Sequence, residues 1–154
     1  MVDTRGALPV LGWRERVALP RLGIGRIKAK LDTGARSSAL HVDSLESFRR
    51  DGDDWLRFDL ATGRRPPRRV VCEAPALDRR RVTDSSGNAS VRWFIETEVL
   101  LGTLALCIEV SLTDRRGMLF PMLLGRTALA GRALVDPARS YTLSLSTATP
   151  PPTR

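Results

Sequence analysis

The sequence predicts an all-β fold, a barrel or sandwich built from about eight short strands. Three observations point to this class. Residues 24–31, Ile-Gly-Arg-Ile-Lys-Ala-Lys-Leu, alternate apolar and basic side chains, as expected of a strand with one buried face. Turn signals rich in Gly, Asp, Ser and Asn recur roughly every 8–12 residues. No helical patterns of about 12 residues separate the apolar runs, which argues against a parallel α/β fold.

The N-terminal half is predicted to hold short strands separated by turns. The run 16–20 is apolar and closes at a proline, and the alternating strand 24–31 ends at the turn 32–35. Residues 37–42 continue as an extended or briefly helical segment. The next elements are an alternating strand at 55–60, a Gly- and Pro-containing linker at 61–67 and a strand at 69–74.

The C-terminal half contains the clearest hairpin signal, Thr-Asp-Ser-Ser-Gly-Asn at residues 83–88. Gly and Asn tolerate positive φ there, and Ser and Asp favour turns. The hairpin leads into a long strand at 91–101, which turns at Gly102 into another at 103–112. The remaining predicted elements are a turn at 113–117, a fully apolar buried strand at 118–124, a helix of one or two turns at 125–132, and closing strands at 133–136 and 140–145.

The chain has 154 residues, the size of one domain, which we place at residues 11–146 between flexible termini at 1–10 and 147–154. Hydrophobic residues make up 42% and charged residues 27% of the chain, and these values exclude wholesale disorder. No stretch approaches the roughly 20 apolar residues of a membrane span. Residues 1–9 lack the apolar centre of a signal peptide. We therefore expect a soluble cytoplasmic protein without membrane contact.

The net charge is +8, from 25 Lys and Arg against 17 Asp and Glu. All the cations except Lys28 and Lys30 are arginines. Such an excess suits nucleic-acid or anionic-surface binding, but it also arises from an arginine-rich solvated surface. The arginines are scattered, with no basic helix and no aromatic–basic RNA-binding pattern. We therefore favour the solvated surface and do not expect a nucleic-acid partner.

Two cysteines, Cys72 and Cys107, and one histidine, His41, are too few for a four-ligand zinc site of the usual kind. Both cysteines lie in apolar runs, so we expect a reduced, buried pair. His41 follows an apolar stretch alone and is predicted to be a hydrogen-bonded structural residue. No metal and no cofactor is expected.

Asp32-Thr33-Gly34 is the candidate catalytic segment of the sequence, although a bare Asp-Thr-Gly also occurs as an ordinary Asx-turn. Here it follows an alternating strand, and much later an apolar strand runs into Gly125-Arg126. This order resembles retroviral-type aspartic proteases. More closely, it is similar to a bacterial retropepsin-like family often labelled "ATP-dependent zinc protease". The segments that carry the resemblance are 12–15, 29–41, 86–92, 111–115 and 120–126, and the match extends over residues 11–142.

The resemblance implies a closed barrel of the acid-protease half type, with one short C-terminal helix and one catalytic aspartate, Asp32, per chain. The chain contains a single Asp-Thr-Gly, so a homodimer would supply the second carboxylate across a two-fold axis. Two carboxylates in close contact cannot both ionise readily and share a proton. The ionised one accepts a proton from water, and the protonated one hydrogen-bonds the scissile carbonyl.

The resemblance also assigns roles to neighbouring residues. Thr33 would tie the two active-site loops together, Gly34 would let the backbone approach the aspartate, and Ala35 would border the substrate groove. Gly125 and Arg126 would support the loop from the short helix. A flap that closes over substrate would carry Ser86, Gly87 and Asn88 at its tip.

The sequence departs from the viral pattern at one position. In the viral enzymes the arginine that matches Arg126 pairs with an acidic residue four positions after the catalytic aspartate, and here that position is Arg36. Arg126 therefore needs another acid. Asp114 and Asp136 are the candidates, and the sequence does not choose between them.

The function expected from this resemblance is an aspartic peptidase that acts as a homodimer on a peptide or protein substrate. The zinc and ATP of the family label find no support in these residues. The resemblance instead suggests a pathway link to ATP-grasp glutamate ligases, which accounts for the ATP in the label and makes acidic or glutamate-tailed peptides candidate substrates. The alternative is a catalytically silent binding or regulatory module on the same scaffold that needs a partner.

Overall fold

A computed structural model describes residues 7–63, 66–84 and 86–143. Within them, twelve β-strands, one 3-10 turn at Pro20–Leu22 and one α-helix, α1 at Arg126–Leu129, make an all-β fold. The strands are β1 Val10–Gly12, β2 Arg14–Leu19, β3 Ile24–Leu31, β4 Ser38–His41, β5 Ser44–Arg50, β6 Asp53–Thr62, β7 Arg68–Pro75, β8 Asp78–Thr83, β9 Ala89–Leu101, β10 Leu104–Thr113, β11 Met122–Leu124 and β12 Leu134–Asp136.

Six strands close into a barrel in the order β10-β4-β11-β3-β2-β9, and the pairing of β9 with β10 completes the ring. β8 adds to the other edge of β9 as an antiparallel hairpin partner. The predicted closed barrel with one short helix is therefore confirmed for the described residues. None of the helices in this part of the chain is long and apolar enough to cross a membrane.

Alternation of side chains along the barrel strands fills the interior. β3 occupies the predicted residues, and Ile27, Ala29 and Leu31 on its inner face are buried. On β2, Val17 and Leu19 are fully buried while the intervening positions are partly exposed. Because successive side chains of a strand point to opposite faces, this period of two places one face in the core and the other towards solvent.

A second, three-stranded sheet, β5-β6-β7, packs beside the barrel. β6 contributes Leu56, Phe58 and Leu60, which are fully buried in the same apolar core as the barrel side chains. On β7 the Cys72 thiol donates a hydrogen bond to the carbonyl of Leu22, with Sγ 3.3 Å from the oxygen. This bond ties the second sheet to the 3-10 turn that precedes β3, at the end of that strand away from Asp32.

Two predicted strands are corrected by the structure. The run 118–124 is a strand only at Met122–Leu124, and Met118 and Leu119 are 61% and 79% exposed. An apolar run alone does not determine burial, because the turn from residue 113 onwards carries its first residues outside the barrel. Of the predicted closing strand 140–145, residues 140–143 form no strand, and the rest lies outside the described residues. Residues 1–6 of the predicted N-terminal segment 1–10, and the whole predicted C-terminal segment 147–154, also lie outside the described residues.

The two cysteines differ in environment, which corrects the prediction of a buried pair. Cys72 is buried and Cys107 is exposed, and both are free thiols. Burial, followed by the nearby negative charge of Asp59, raises the pKa of the Cys72 thiol to about 11. Cys107 points outwards because it occupies an outer-face position of β10 between the buried Leu106 and Ile108.

A thiol reagent at pH 8 is expected to modify Cys107 rapidly and Cys72 only when the protein unfolds. With a pKa of about 11, only about one Cys72 in a thousand is thiolate at that pH, and burial also blocks the reagent. Mass spectrometry of the native protein should show a single fast adduct that disappears in the Cys107→Ser variant. Two adducts forming at equal rates would contradict the burial of Cys72.

Glu15 is a buried carboxylate that joins the two ends of the described chain. Its exposed fraction is 0%. Oε2 accepts hydrogen bonds from the Gly12 amide at 2.7 Å, the Thr142 amide at 3.1 Å and the Thr142 hydroxyl at 2.6 Å. Oε1 accepts one from the Leu143 amide at 3.2 Å. Residues 142–143 are therefore held against β2 without a strand of their own.

The Glu15→Gln variant is expected to lose about 2 kcal/mol of unfolding free energy. The glutamine amide group is a donor where the native oxygens only accept, so at least one bond to residues 12, 142 or 143 must break. Glu46→Gln is the matched control, because Glu46 is exposed and has one long ion pair, 3.4 Å to Arg57. Urea unfolding measures both variants. Equal midpoints for the two would contradict a structural role for the Glu15 carboxylate.

Candidate active site

Asp32 lies directly after β3, where the chain leaves the barrel in a tight turn. Its amide donates to the Leu124 carbonyl at 2.8 Å, which attaches the turn to the end of β11. The Gly34 amide donates to Asp32 Oδ1 at 2.9 Å. The side chain of Asp32 is therefore oriented by its own loop, with the carboxylate half-buried at the end of the barrel.

Gly34 lies close to the side chain of Asp32. A Cβ at this position would lie 3.2 Å from Asp32 Oδ1, tighter than ordinary van der Waals contact. Thr33 and Gly34 are exposed, whereas Ala35 is half-buried. The Thr33 hydroxyl thus faces solvent in a single chain, at the surface where the sequence predicts a second copy.

The start of α1 supports the Asp32 loop through backbone contacts. The Arg126 amide donates to the Ala35 carbonyl at 2.8 Å, and the Thr127 amide donates to the Arg36 carbonyl at 3.0 Å. Gly125 packs so tightly beneath the loop that a Cβ would lie 2.5 Å from the Ser37 carbonyl oxygen. Only glycine fits here for steric reasons, since no side chain can share that space.

The Arg126 side chain corrects the predicted ion pair. Nη1 donates to the carbonyl oxygens of Thr33 and Gly34, at 3.2 Å each. Among the described residues, neither Asp114 nor Asp136 pairs with it: Asp114 lies beside Arg116, and Asp136 beside Arg139. Two carbonyl acceptors in the loop replace the acid that is missing at Arg36, so Arg126 still reinforces the Asp32 turn.

The hairpin β8–β9 has the predicted tip. The Asp84 amide donates to the Asn88 carbonyl at 2.9 Å, and Asp84 Oδ1 accepts from the amides of Ser86 and Asn88, each at 2.9 Å. Gly87 has φ of +88°, which glycine adopts without strain. Residues 86–90 are exposed, and no hydrogen bond within the described part of the chain joins them to the Asp32 loop.

His41 is hydrogen-bonded on both ring nitrogens. Nδ1 accepts from the Arg115 amide at 2.8 Å, so Nε2 carries the proton that points to Asp43 Oδ1, 2.8 Å away. The hydrogen bond from His41 holds the pKa of Asp43 below its ordinary value. This agrees with the prediction of a structural histidine. Within residues 7–63, 66–84 and 86–143, no three metal-ligating side chains come together.

Arg115 lies near both Asp32 and Arg92, and the reasoning from sequence assigned neither arginine a role. Arg115 is half-buried, and its Nε donates to the Phe120 carbonyl at 3.2 Å. Burial lowers the pKa of Arg115, the positive charge of Arg92 lowers it further, and the charge of Asp32 acts in the opposite direction. Both residues lie in segments that carry the family resemblance. Their convergence depends on the barrel closing, which no local pattern reveals.

The comparisons with known proteins agree with this geometry. A model of the RimB-like family, described as retropepsin-like aspartic endopeptidase RimB, matches residues 10–144. A protein of unknown function (DUF785) from Legionella pneumophila has a similar solved structure, with a TM-score of 0.72 and 29% identity. The similarity covers 87% of this chain and 97% of that one.

Two curated relatives carry a different description, "Probable alpha-L-glutamate ligase". The one from Desulfotalea psychrophila is 40% identical over 133 residues, which is 86% of this chain and 29% of the relative. The one from Shewanella pealeana is 37% identical over 135 residues, 87% of this chain and 30% of the relative. The chain thus spans less than a third of the length of these relatives.

Proposed function

Because the chain belongs to the RimB-like family of retropepsin-like aspartic endopeptidases, we propose that it hydrolyses peptide bonds with the Asp32 carboxylates of two copies. The observation that carries the proposal is the Asp32 turn itself. Its carboxylate is aimed by the Gly34 amide, and its backbone is supported by β11 and α1. Such support from rigid elements is what a catalytic carboxylate needs to keep its geometry.

The reaction follows from pairing two such turns across a two-fold axis. One carboxylate is ionised and accepts a proton from a water molecule held between the two. The other is protonated and donates a hydrogen bond to the carbonyl oxygen of the scissile bond. The water oxygen attacks the carbonyl carbon and gives a neutral tetrahedral diol. Its collapse, with protonation of the nitrogen, releases the amine and the carboxylic acid without a covalent enzyme intermediate.

The neighbouring residues have supporting roles in this proposal. The exposed Thr33 hydroxyl ties the loop to its symmetry mate, and Ala35 borders the substrate groove. Gly125 and Arg126 keep the loop in place through the contacts described above. The β8–β9 hairpin, with Ser86, Gly87 and Asn88 at its tip, closes over the bound peptide and excludes water.

We propose acidic, glutamate-tailed peptides as the substrates, and a functional link to ATP-grasp glutamate ligases. The support is the description of the curated relatives as alpha-L-glutamate ligases, together with the net charge of +8. An enzyme that adds glutamates creates the substrate that a peptidase of this kind would shorten. A cationic surface raises the local concentration of such an anionic peptide.

The test combines cleavage with molar mass. The protein is incubated with a glutamate-tailed peptide from acidic to neutral pH, the products are identified by mass spectrometry, and light scattering measures the mass over a micromolar range. Cleavage by a dimer supports the proposal. A monomer at every concentration would overturn it, because one chain supplies one carboxylate. A dimer that binds the peptide without cleaving it would favour the alternative, a silent binding module.

A further inference from the structure

Several of the described surface arginines have acidic partners. Arg50 and Arg57 share Glu73, Arg80 contacts Asp78 and Glu109, and Arg116 lies beside Asp43 and Asp114. Arg92 and Arg115 belong to the larger group of described arginines without an acidic partner, and they are singled out because the charge of Arg92 acts on Arg115. Among the described residues, neither forms an ion pair. The Nε of Arg92 donates to the Ser90 hydroxyl at 3.1 Å, and the Nε of Arg115 to the Phe120 carbonyl.

The strand register places the two arginines near each other. Trp93 of β9 is opposite Leu112 of β10, so Arg92 lies level with Thr113, two residues before Arg115. The positive charge of Arg92 therefore acts on the Arg115 guanidinium, and the negative charge of Asp32 offsets part of that repulsion. That arrangement is unfavourable in the free protein, and burial of Arg115 increases its cost. An anion placed between the two guanidinium groups relieves it.

A chain of contacts connects Arg115 to the candidate catalytic carboxylate. The guanidinium is held by the Phe120 carbonyl, and the Phe120 ring packs edge-on against Trp13, with centroids 5.8 Å apart. The Trp13 carbonyl accepts the amide of Leu31, the residue before Asp32, at 2.7 Å. The backbone of Arg115 is fixed in addition by His41. Arg115 is therefore presented rigidly on the Asp32 side of the barrel, with terminal N–H donors free of partners among the described residues.

We propose that Arg115 and Arg92 bind a side-chain carboxylate of the substrate next to the scissile bond. The inference rests on the proposed peptidase function and names the residues that make it selective for acidic peptides. A guanidinium offers paired N–H donors that match the two oxygens of a carboxylate. Arg92 belongs to the hairpin strand β9, whereas Arg115 belongs to the turn after β10. A bound glutamate therefore contacts the base of the β8–β9 hairpin, next to the Trp93–Leu112 pair, as well as the turn after β10.

Binding is measured in the Asp32→Asn background, so that the result does not depend on turnover. The probe is a short fluorescent peptide ending in consecutive glutamates, compared with the same peptide ending in glutamines, by fluorescence anisotropy. Arg115→Gln and Arg92→Gln are each expected to weaken glutamate-peptide binding by about 10- to 100-fold and to leave glutamine-peptide binding nearly unchanged. Arg116→Gln is the matched control, since Arg116 is 63% exposed and already lies beside two acids.

Turnover with Asp32 restored separates this inference from the proposed function. The arginine variants are expected to raise KM for glutamate peptides far more than they lower kcat. If the arginine variants selectively lose binding of the glutamate peptide while the wild type cleaves no peptide, the carboxylate site is supported and the peptidase proposal is rejected. If Arg92→Gln and Arg115→Gln cleave peptides with an unchanged preference for glutamate, the carboxylate site is overturned and the peptidase proposal stands. If Arg115→Gln fails to fold, Arg92→Gln decides the question, because the Arg92 side chain bonds only the exposed Ser90 hydroxyl among the described residues.

Discussion

Replacement of Asp32 by asparagine is expected to lower peptide hydrolysis by about 10³-fold or more and to leave the fold intact. Asparagine has the same shape, and its amide oxygen can still accept the hydrogen bond from the Gly34 amide, which is 2.9 Å from Oδ1 in the native protein. It cannot ionise, so it neither accepts a proton from water nor shares one with a second carboxylate. Initial rates with a glutamate-tailed peptide measure the effect, and near-ultraviolet circular dichroism monitors the fold.

Asp53→Asn is the control for this variant. Asp53 is exposed at the start of β6, on the second sheet and away from the Asp32 loop. The same loss of one negative charge there should leave the rate within about twofold of wild type, since a surface substitution of this kind changes little. Activity that survives in Asp32→Asn, with folding unchanged, would contradict any catalytic role for this carboxylate.

Replacement of Gly125 by alanine is expected to lower the unfolding free energy by about 3 kcal/mol. The new Cβ would lie 2.5 Å from the Ser37 carbonyl oxygen and 2.9 Å from that of Ala35. Both are backbone atoms of the Asp32 loop, so neither can rotate away. The loop must shift instead, and with it the Gly34 amide that orients Asp32. Peptidase activity should therefore fall together with stability, as urea unfolding and initial rates would show.

Gly25→Ala separates this steric effect from the general consequences of losing a glycine. Gly25 lies in β3, and a Cβ there would meet no atom within 4 Å. The variant should keep wild-type stability or gain slightly, because alanine restricts the unfolded chain. A Gly125→Ala protein as stable as Gly25→Ala would contradict the close packing of α1 beneath the Asp32 loop.

The barrel strands were predictable where a single face is buried. From Ile27 to Leu31, β3 alternates between apolar and basic side chains, and its predicted and observed limits coincide. β5 was not predicted, because Ser44, Glu46, Ser47 and Arg49 leave it almost without a buried face. β8 begins with one aspartate and three arginines, a composition that local propensity does not associate with a strand. β8 forms a strand because its backbone pairs with β9, which has a strong apolar pattern.

The candidate site was predictable in part for a related reason. Asp32 and Gly34 are adjacent in sequence, and their contact is set by the local turn. The roles of Arg126 and Arg115 depend on residues more than 70 positions away, the carbonyls of Thr33 and Gly34 and the ring of His41. Contacts between residues so far apart in sequence cannot be recognised from a local pattern. A backbone carbonyl is present in every residue, so the residue type does not reveal it as the acceptor. The missing acid at Arg36 therefore suggested an ion pair that the fold does not make.

The central claim is that one site uses an Asp32 from each of two chains, and a mixing experiment tests it directly. Wild-type and Asp32→Asn proteins are mixed in equal amounts, allowed to exchange subunits, and assayed per mole of total chain. Random pairing leaves about one quarter of the dimers with two aspartates, so activity should fall to about one quarter of the wild-type value. A value of one half would show that each chain works with its own aspartate, which would contradict the shared site.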